Sequence, residues 1–159
     1  PNWLDKLIEV SGNYDILYPN GYEYFKKSKL VKPINLSLST NRLDVFSSLI
    51  CLGGTLLSKK ILLDNKNNLL DLEFENHYDI DLFIRLKNKG YSYVNISDYL
   101  FKYVIHSDSI SSNNKFNTLV ERFKITRKHK FPLIIFFIKA FLYEFKIISI
   151  IKKLKFLKI

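Results

Sequence analysis

Two acids at the opening of a helix and a histidine at the end of a strand are the residues of this chain whose types and spacing offer chemistry. They fall within residues 76–112, Asn-His-Tyr-Asp-Ile-Asp-Leu-Phe-Ile-Arg-Leu-Lys-Asn-Lys-Gly followed by Tyr-Ser-Tyr-Val-Asn-Ile-Ser-Asp-Tyr-Leu-Phe-Lys-Tyr-Val-Ile-His-Ser-Asp-Ser-Ile-Ser-Ser. Asp79 could act as a general base. That role needs a carboxyl tuned toward working pH beside an acceptor oxygen; partial burial at a helix start raises its pKa and the helix dipole lowers it. The same carboxylate could serve only as a cap for the first-turn N–H groups. Asp81 and Arg85 are four residues apart, the spacing of an ion pair on the outer, exposed side of a helix. His106 suits a metal as neutral imidazole or a diphosphate when protonated, although a lone histidine at a strand end commonly does neither. His77 and His129 have no companions at metal spacing and read as surface residues. There is no Gly-rich phosphate loop, Cys cluster or Ser-His-Asp spacing.

The elements that must position these groups follow from periodicity. Ile80, Phe83, Ile84 and Leu86 give a helix one apolar side, and Gly90 supplies a left-handed stop. The period then changes to two. Tyr91 to Val94 and Leu100 to Ile105 read as the strands of a hairpin joined by the polar residues Asn95 to Asp98. Lys102, Val104 and His106 share one face of the second strand, which delivers His106 at its end.

The order Asp-x-Asp-Leu-aromatic-aliphatic-Arg-Leu, a Lys-x-Gly-Tyr turn, a strand, and then His-x-x-Ser-Ile-Ser resembles the C-terminal half of the catalytic domain of family 2 inverting glycosyltransferases. Tyr78 stands where that family usually has Glu. The resemblance implies that Asp79 is the base that deprotonates the acceptor hydroxyl. It also implies that His106 contributes to the metal site and that Asp81, Ser109 and Ser111 lie along the substrates. Gly53-Gly54-Thr55 resembles the family's acceptor-side strand. The implied fold is α/β, part of a Rossmann-like A-type domain lacking its N-terminal nucleotide-binding half. The implied partners are a nucleotide-sugar donor and a glycan or lipid-linked glycan acceptor, as in cell-surface polysaccharide or lipopolysaccharide synthesis. A divalent metal, Mn or Mg, would be held mainly by an Asp-x-Asp segment expected upstream of Pro1, so the chain alone is expected to be inactive.

Composition bounds these readings. A chain of 159 residues, 47% hydrophobic and 15% aromatic, suffices for a core. The single Cys51, in an apolar run, reads as a buried thiol in a reducing compartment. The opening residues do not read as a signal segment, and the uncharged run from Phe131 to Ile138 is too short to span a bilayer. The net charge of +10 is not spread evenly: residues 1–120 carry fourteen Lys and Arg against thirteen acids, and residues 121–159 carry eleven against two. A neutral body offers no basic face to nucleic acid, and the tail's aromatics look buried, not arrayed for base stacking.

The rest of the chain reads as supporting elements. A helix over Pro1 to Val10 precedes a strand from Tyr14 to Tyr18, continued by Gly21 to Phe25 beyond a bulge at Pro19-Asn20. Lys26 to Ser39 reads as an exposed loop, Asn41 to Leu49 as a short helix capped by Thr40, and Gly53 to Lys60 as a strand before an Asn-rich turn at Asn65 to Asn68. These close a first domain, residues 1–112. Residues 113–159 read as a helical basic tail: one helix with Phe116, Leu119, Val120 and Phe123 at helical spacing, and a second from Leu133 to about Lys158. Lys139, Lys146 and Lys153, seven apart on an apolar rod, suit a helix lying on an anionic membrane surface; packing on the missing half or another subunit is the alternative. The expected location is cytoplasmic, peripheral on the cytoplasmic face of the membrane. The rival to the enzyme is a non-enzymatic module docking on membrane or nucleic acid through this tail.

Overall fold

A computed structural model of the chain describes residues 3–34, 52–106 and 115–144. It is mixed α/β, with helices α1 (Trp3–Val10), α2 (Lys59–Asp64), α3 (Tyr78–Asn88), α4 (Lys115–Lys128) and α5 (Leu133–Glu144) around one four-stranded sheet. The strands are β1 (Ile16–Phe25), β2 (Leu30–Ile34), β3 (Leu56–Leu57) and β4 (Tyr93–Ile105). The expected helix at Asn41 to Leu49, Cys51, Ser109, Ser111 and the second half of the tail helix lie outside the described residues.

β1 is the strand on which the sheet is built. One edge pairs along its whole length with β4, in parallel, from Ile16 opposite Tyr93 to Phe25 opposite Ile105. The other edge takes β3 antiparallel at Ile16 and Leu17 and β2 antiparallel from Gly21 to Phe25. Parallel neighbours need a crossover, and the chain between β1 and β4, which includes α3, supplies it.

Three sequence expectations change here. The hairpin over Tyr91 to Ile105 is one thirteen-residue strand, and the polar residues expected to form its turn form a bulge instead. The register shifts between Pro19 and Asn20 and again between Asn20 and Gly21. Buried Asn20 holds the bulge: its Nδ2 donates to Ser97 O at 2.9 Å, while Asn95 Nδ2 donates to Tyr18 O at 3.0 Å. Pro19, which has no N–H for a ladder, sits at that irregularity. The loop expected over Lys26 to Ser39 contains β2, because Leu30, Val31 and Ile34 favour a strand and Pro33 is tolerated on an edge. The strand expected over Gly53 to Lys60 shrinks to Leu56–Leu57, since Ser58 caps α2 by accepting from Ile61 N.

α3 is buried on both sides. Leu82, Phe83 and Leu86 pack with Ile16, Tyr18 and Ile61 beneath the sheet, while Ile80 and Ile84 join Phe74, Ile125, Phe136 and Ala140 on the side of α4 and α5. Packing therefore crosses the boundary expected after residue 112. The stripe expected on α4 is displaced: Phe116 and Val120 are exposed, and the buried residues are Glu121, Ile125 and Thr126. Gly90 ends α3 in the left-handed region (φ 80°), and Tyr93 Oη donates to Phe83 O at 2.6 Å, fastening helix to strand. Asp15 ties the sheet's opening together, accepting from Ser92 N at 3.0 Å and Ser92 Oγ at 2.9 Å.

The Phe101 ring lies against Gly21 of β1 and Gly54, so closely that a Cβ at either position would collide with it. Overpacking of this kind costs about 1–3 kcal/mol. Gly21→Ala is expected to lose stability in that range by urea unfolding. The double variant Gly21→Ala, Phe101→Leu should lose less than the two single changes combined.

Candidate functional site

Two of the sequence-predicted residues, Asp79 and Asp81, each lie in a charged group, and α3 joins the two groups. The first surrounds Asp79. The helix begins at Tyr78 with His77 in the capping position, so Asp79 lies inside the first turn, where its Oδ1 accepts from Ile80 N at 2.8 Å. The carboxyl is half-buried. Burial pushes its pKa up, against the opposing pull of the Ile80 N–H and the charges of His77 and Arg122.

His77 is buried, not a surface residue as expected. Arg122 Nε–H donates to His77 Nε2 at 3.1 Å, so that nitrogen is the acceptor and the ring proton sits on Nδ1. Nδ1 then donates to Glu121 Oε2 at 3.1 Å. Burial lowers the pKa of the ring, with Arg122 acting in the same direction and Glu121 opposing. Glu121 also accepts from Glu75 N and Asn76 N, each at 3.0 Å. Burial alone would raise the Glu121 carboxyl, but these donors and His77 together hold it below the usual range. α4 thus clamps the turn that presents Asp79.

The second group centres on Asp81, and it corrects the placement of that residue on the outer side of the helix. The side chain has no exposed surface. Its pairing with Arg85 is as expected, Nε to Oδ2 at 2.7 Å, but Lys128 Nζ and His129 Nε2 also reach Oδ1, each at 2.8 Å. The side chain of His129, expected at the surface, is buried with it. The reason is packing: a helix covered on both sides leaves no outer face. Arg85 donates further to Asn68 O and Leu69 O, and Lys128 to Asp71 at 2.6 Å, so the group ties the Asn-rich turn and α4 to α3. Burial would raise the Asp81 carboxyl; hydrogen bonds from His129, Lys128 and Arg85 overcome it and hold the group far below the carboxylate range.

Comparison of the chain with family models, curated proteins and solved structures returns no match.

Gly53, Gly54 and Thr55 form the turn into β3, with Thr55 N donating to Leu52 O at 3.2 Å and Gly54 making room for Phe101. His106 is exposed just after Ile105, at the end of β4 that pairs with Phe25, whereas α3 packs over Ile16 and Tyr18. Phe25 lies about 23 Å along β1 from Tyr18. Among the described residues no three His, Cys, Asp or Glu side chains gather as a metal site. A shallow cleft of about 320 Å³ lies beside Arg85 and Lys89, at the opposite end of α3 from Asp79.

Sequence reasoning missed Glu121, Arg122, Lys128 and His129. The signal was present: Glu121, Ile125, Lys128 and His129 fall at i, i+4, i+7 and i+8, one face of a helix, while His77, Asp81 and Arg85 fall at i, i+4 and i+8 on another.

Asp81→Asn leaves part-buried Arg85 and Lys128 without the carboxylate they share. A loss of about 3 kcal/mol at neutral pH is expected by urea unfolding. Because the folded carboxyl titrates below its unfolded value of about 4, the wild-type advantage should be complete above that pH and shrink as pH falls below it. A gap that stays constant from neutral to acid pH would contradict this.

Proposed function

We propose that this chain is part of an inverting glycosyltransferase of family 2. It moves a sugar from a nucleotide-diphosphate donor to a hydroxyl of a glycan or lipid-linked glycan acceptor in cell-surface polysaccharide synthesis, at the cytoplasmic face of the membrane. The observation that carries the reading is Asp79: a half-buried carboxylate in the first turn of the helix that opens the Asp-x-Asp-Leu-Phe-Ile-Arg-Leu segment, with its pKa pushed up by burial.

On this reading Asp79 accepts the proton of the acceptor hydroxyl as that oxygen attacks the anomeric carbon and the nucleoside diphosphate leaves from the opposite face. A raised pKa makes the carboxylate a stronger base. The Arg122-His77-Glu121 chain holds the preceding turn, and with it the direction of the carboxylate. A divalent metal would stabilise the departing diphosphate. Among the described residues no three His, Cys, Asp or Glu side chains gather to hold it, and the role proposed for Asp79 is on the acceptor side. The part-buried Gly54 and Thr55 beside Phe101 would support the acceptor side, and buried Asp81 would act through α3. Among the described residues no helix is long and apolar enough to cross a membrane, and the membrane location belongs to this proposal.

Asp79→Asn keeps a side-chain oxygen for the Ile80 N–H but cannot take a proton. In a protein carrying the donor-binding half, turnover is expected to fall by at least about 10²-fold, with the circular dichroism spectrum unchanged. Transfer should also rise with pH through the titration of Asp79. Undiminished turnover in the Asn variant would remove Asp79 from the mechanism.

A further inference from the structure

The face of α5 that turns away from the core is largely exposed. Phe136 and Ala140 bury the inner side against Ile125 and Ile84. On the outer side Ile134, Phe137 and Ile138 are 67%, 57% and 54% exposed, with Phe141 at 56%. These positions fall at i, i+3, i+4 and i+7, a single stripe. The patch continues onto α4, because the Phe137 ring lies 6.2 Å from that of Phe123, and Val120 and exposed Phe116 follow on the same side of that helix. A contiguous apolar patch of this kind on a folded surface marks a contact.

Charge decides which contact. Of the two acids in residues 121–159, Glu121 is buried against His77, and Glu144 is the only other. Arg127 and Lys130 are exposed at the α4–α5 turn, and Lys146, Lys152, Lys153, Lys155 and Lys158 follow in the sequence. A second copy would bring the same positive charge against itself. A surface apolar beneath and negatively charged above meets both features. We infer that the outward stripe of α5, with Arg127 and Lys130 exposed at the turn that precedes it, docks the protein on an anionic lipid bilayer. The inference deepens the proposed membrane location and depends on no step of sugar transfer.

The test uses the full chain with vesicles of phosphatidylcholine, alone or mixed with phosphatidylglycerol, in flotation at low and high salt. Two variants accompany it: Ile134→Ser, Phe137→Ser, Ile138→Ser together, and Arg127→Gln, Lys130→Gln together. The wild type should bind the anionic vesicles at least about tenfold more tightly than the neutral ones, and salt should weaken but not abolish that binding. The Ser variant should lose about tenfold or more at both salt levels, and the Gln variant should lose mainly at low salt. Unchanged thermal unfolding of both variants assigns these losses to the surface. Wild-type binding by the Ser variant, or equal binding to both vesicles, overturns the inference. So does a wild-type dimer that the Ser variant dissolves, since the stripe would then be a subunit interface. Vesicle binding needs no donor sugar, so its outcome is independent of the fate of Asp79→Asn.

Discussion

A carboxylate with no exposed surface must meet enough positive charge and hydrogen bonding to stay ionised, or give up its charge. Asp81 imposes that condition on the fold because α3 is covered by the sheet on one side and by α4 and α5 on the other. Arg85, Lys128 and His129 answer it from two helices, and two of them are fixed in turn: Arg85 on the carbonyls of Asn68 and Leu69, Lys128 on Asp71. The arrangement sets how α4 lies on α3. It also explains why Glu121, two turns earlier on α4, arrives at the turn before Asp79.

Chemistry and architecture are therefore coupled along one helix. The same burial that forces Asp81 into a cationic nest raises the carboxyl of Asp79, which has fewer cationic neighbours. Two acids of one type, two residues apart, are driven in opposite directions by what surrounds them. Only the one that remains half-exposed is placed to exchange a proton with anything outside the fold.

Much of the local structure was legible in the sequence because it depends on local rules. Gly90 as a helix stop, the bulge at Pro19-Asn20 and the end of α4 near residues 127–130 all require only backbone chemistry. What could not be read depends on contacts distant in sequence. The stretch over Tyr91 to Ile105 has every feature of a hairpin; it is one strand because β1, some 77 residues earlier, offers a complete edge and Asn20 reaches across to Ser97. Asp81, His77 and His129 looked exposed because the polar face of a helix ordinarily is. A helix covered twice breaks that rule, and only complementary charges on α4 signalled it. At the candidate site, Asp79 was singled out through the resemblance as well as its place at a helix start, while Arg122 and Glu121 were hidden in a segment that reads simply as basic.

The pairing of β1 with β4 bears on how the chain reaches its native state. β1 is made well before β4, and its local hairpin partner β2 follows it directly. Its other edge, with Ile16, Leu17 and Tyr18, has to wait until Tyr93 to Ile105 have been made. Loop closure over so long a separation is slow, and an apolar strand with an open edge is a template for pairing with other chains. The interval before β4 docks is thus when this protein is most exposed to aggregation. The side chain of Asn20, which holds the bulge against Ser97, helps select the register in which that interval ends.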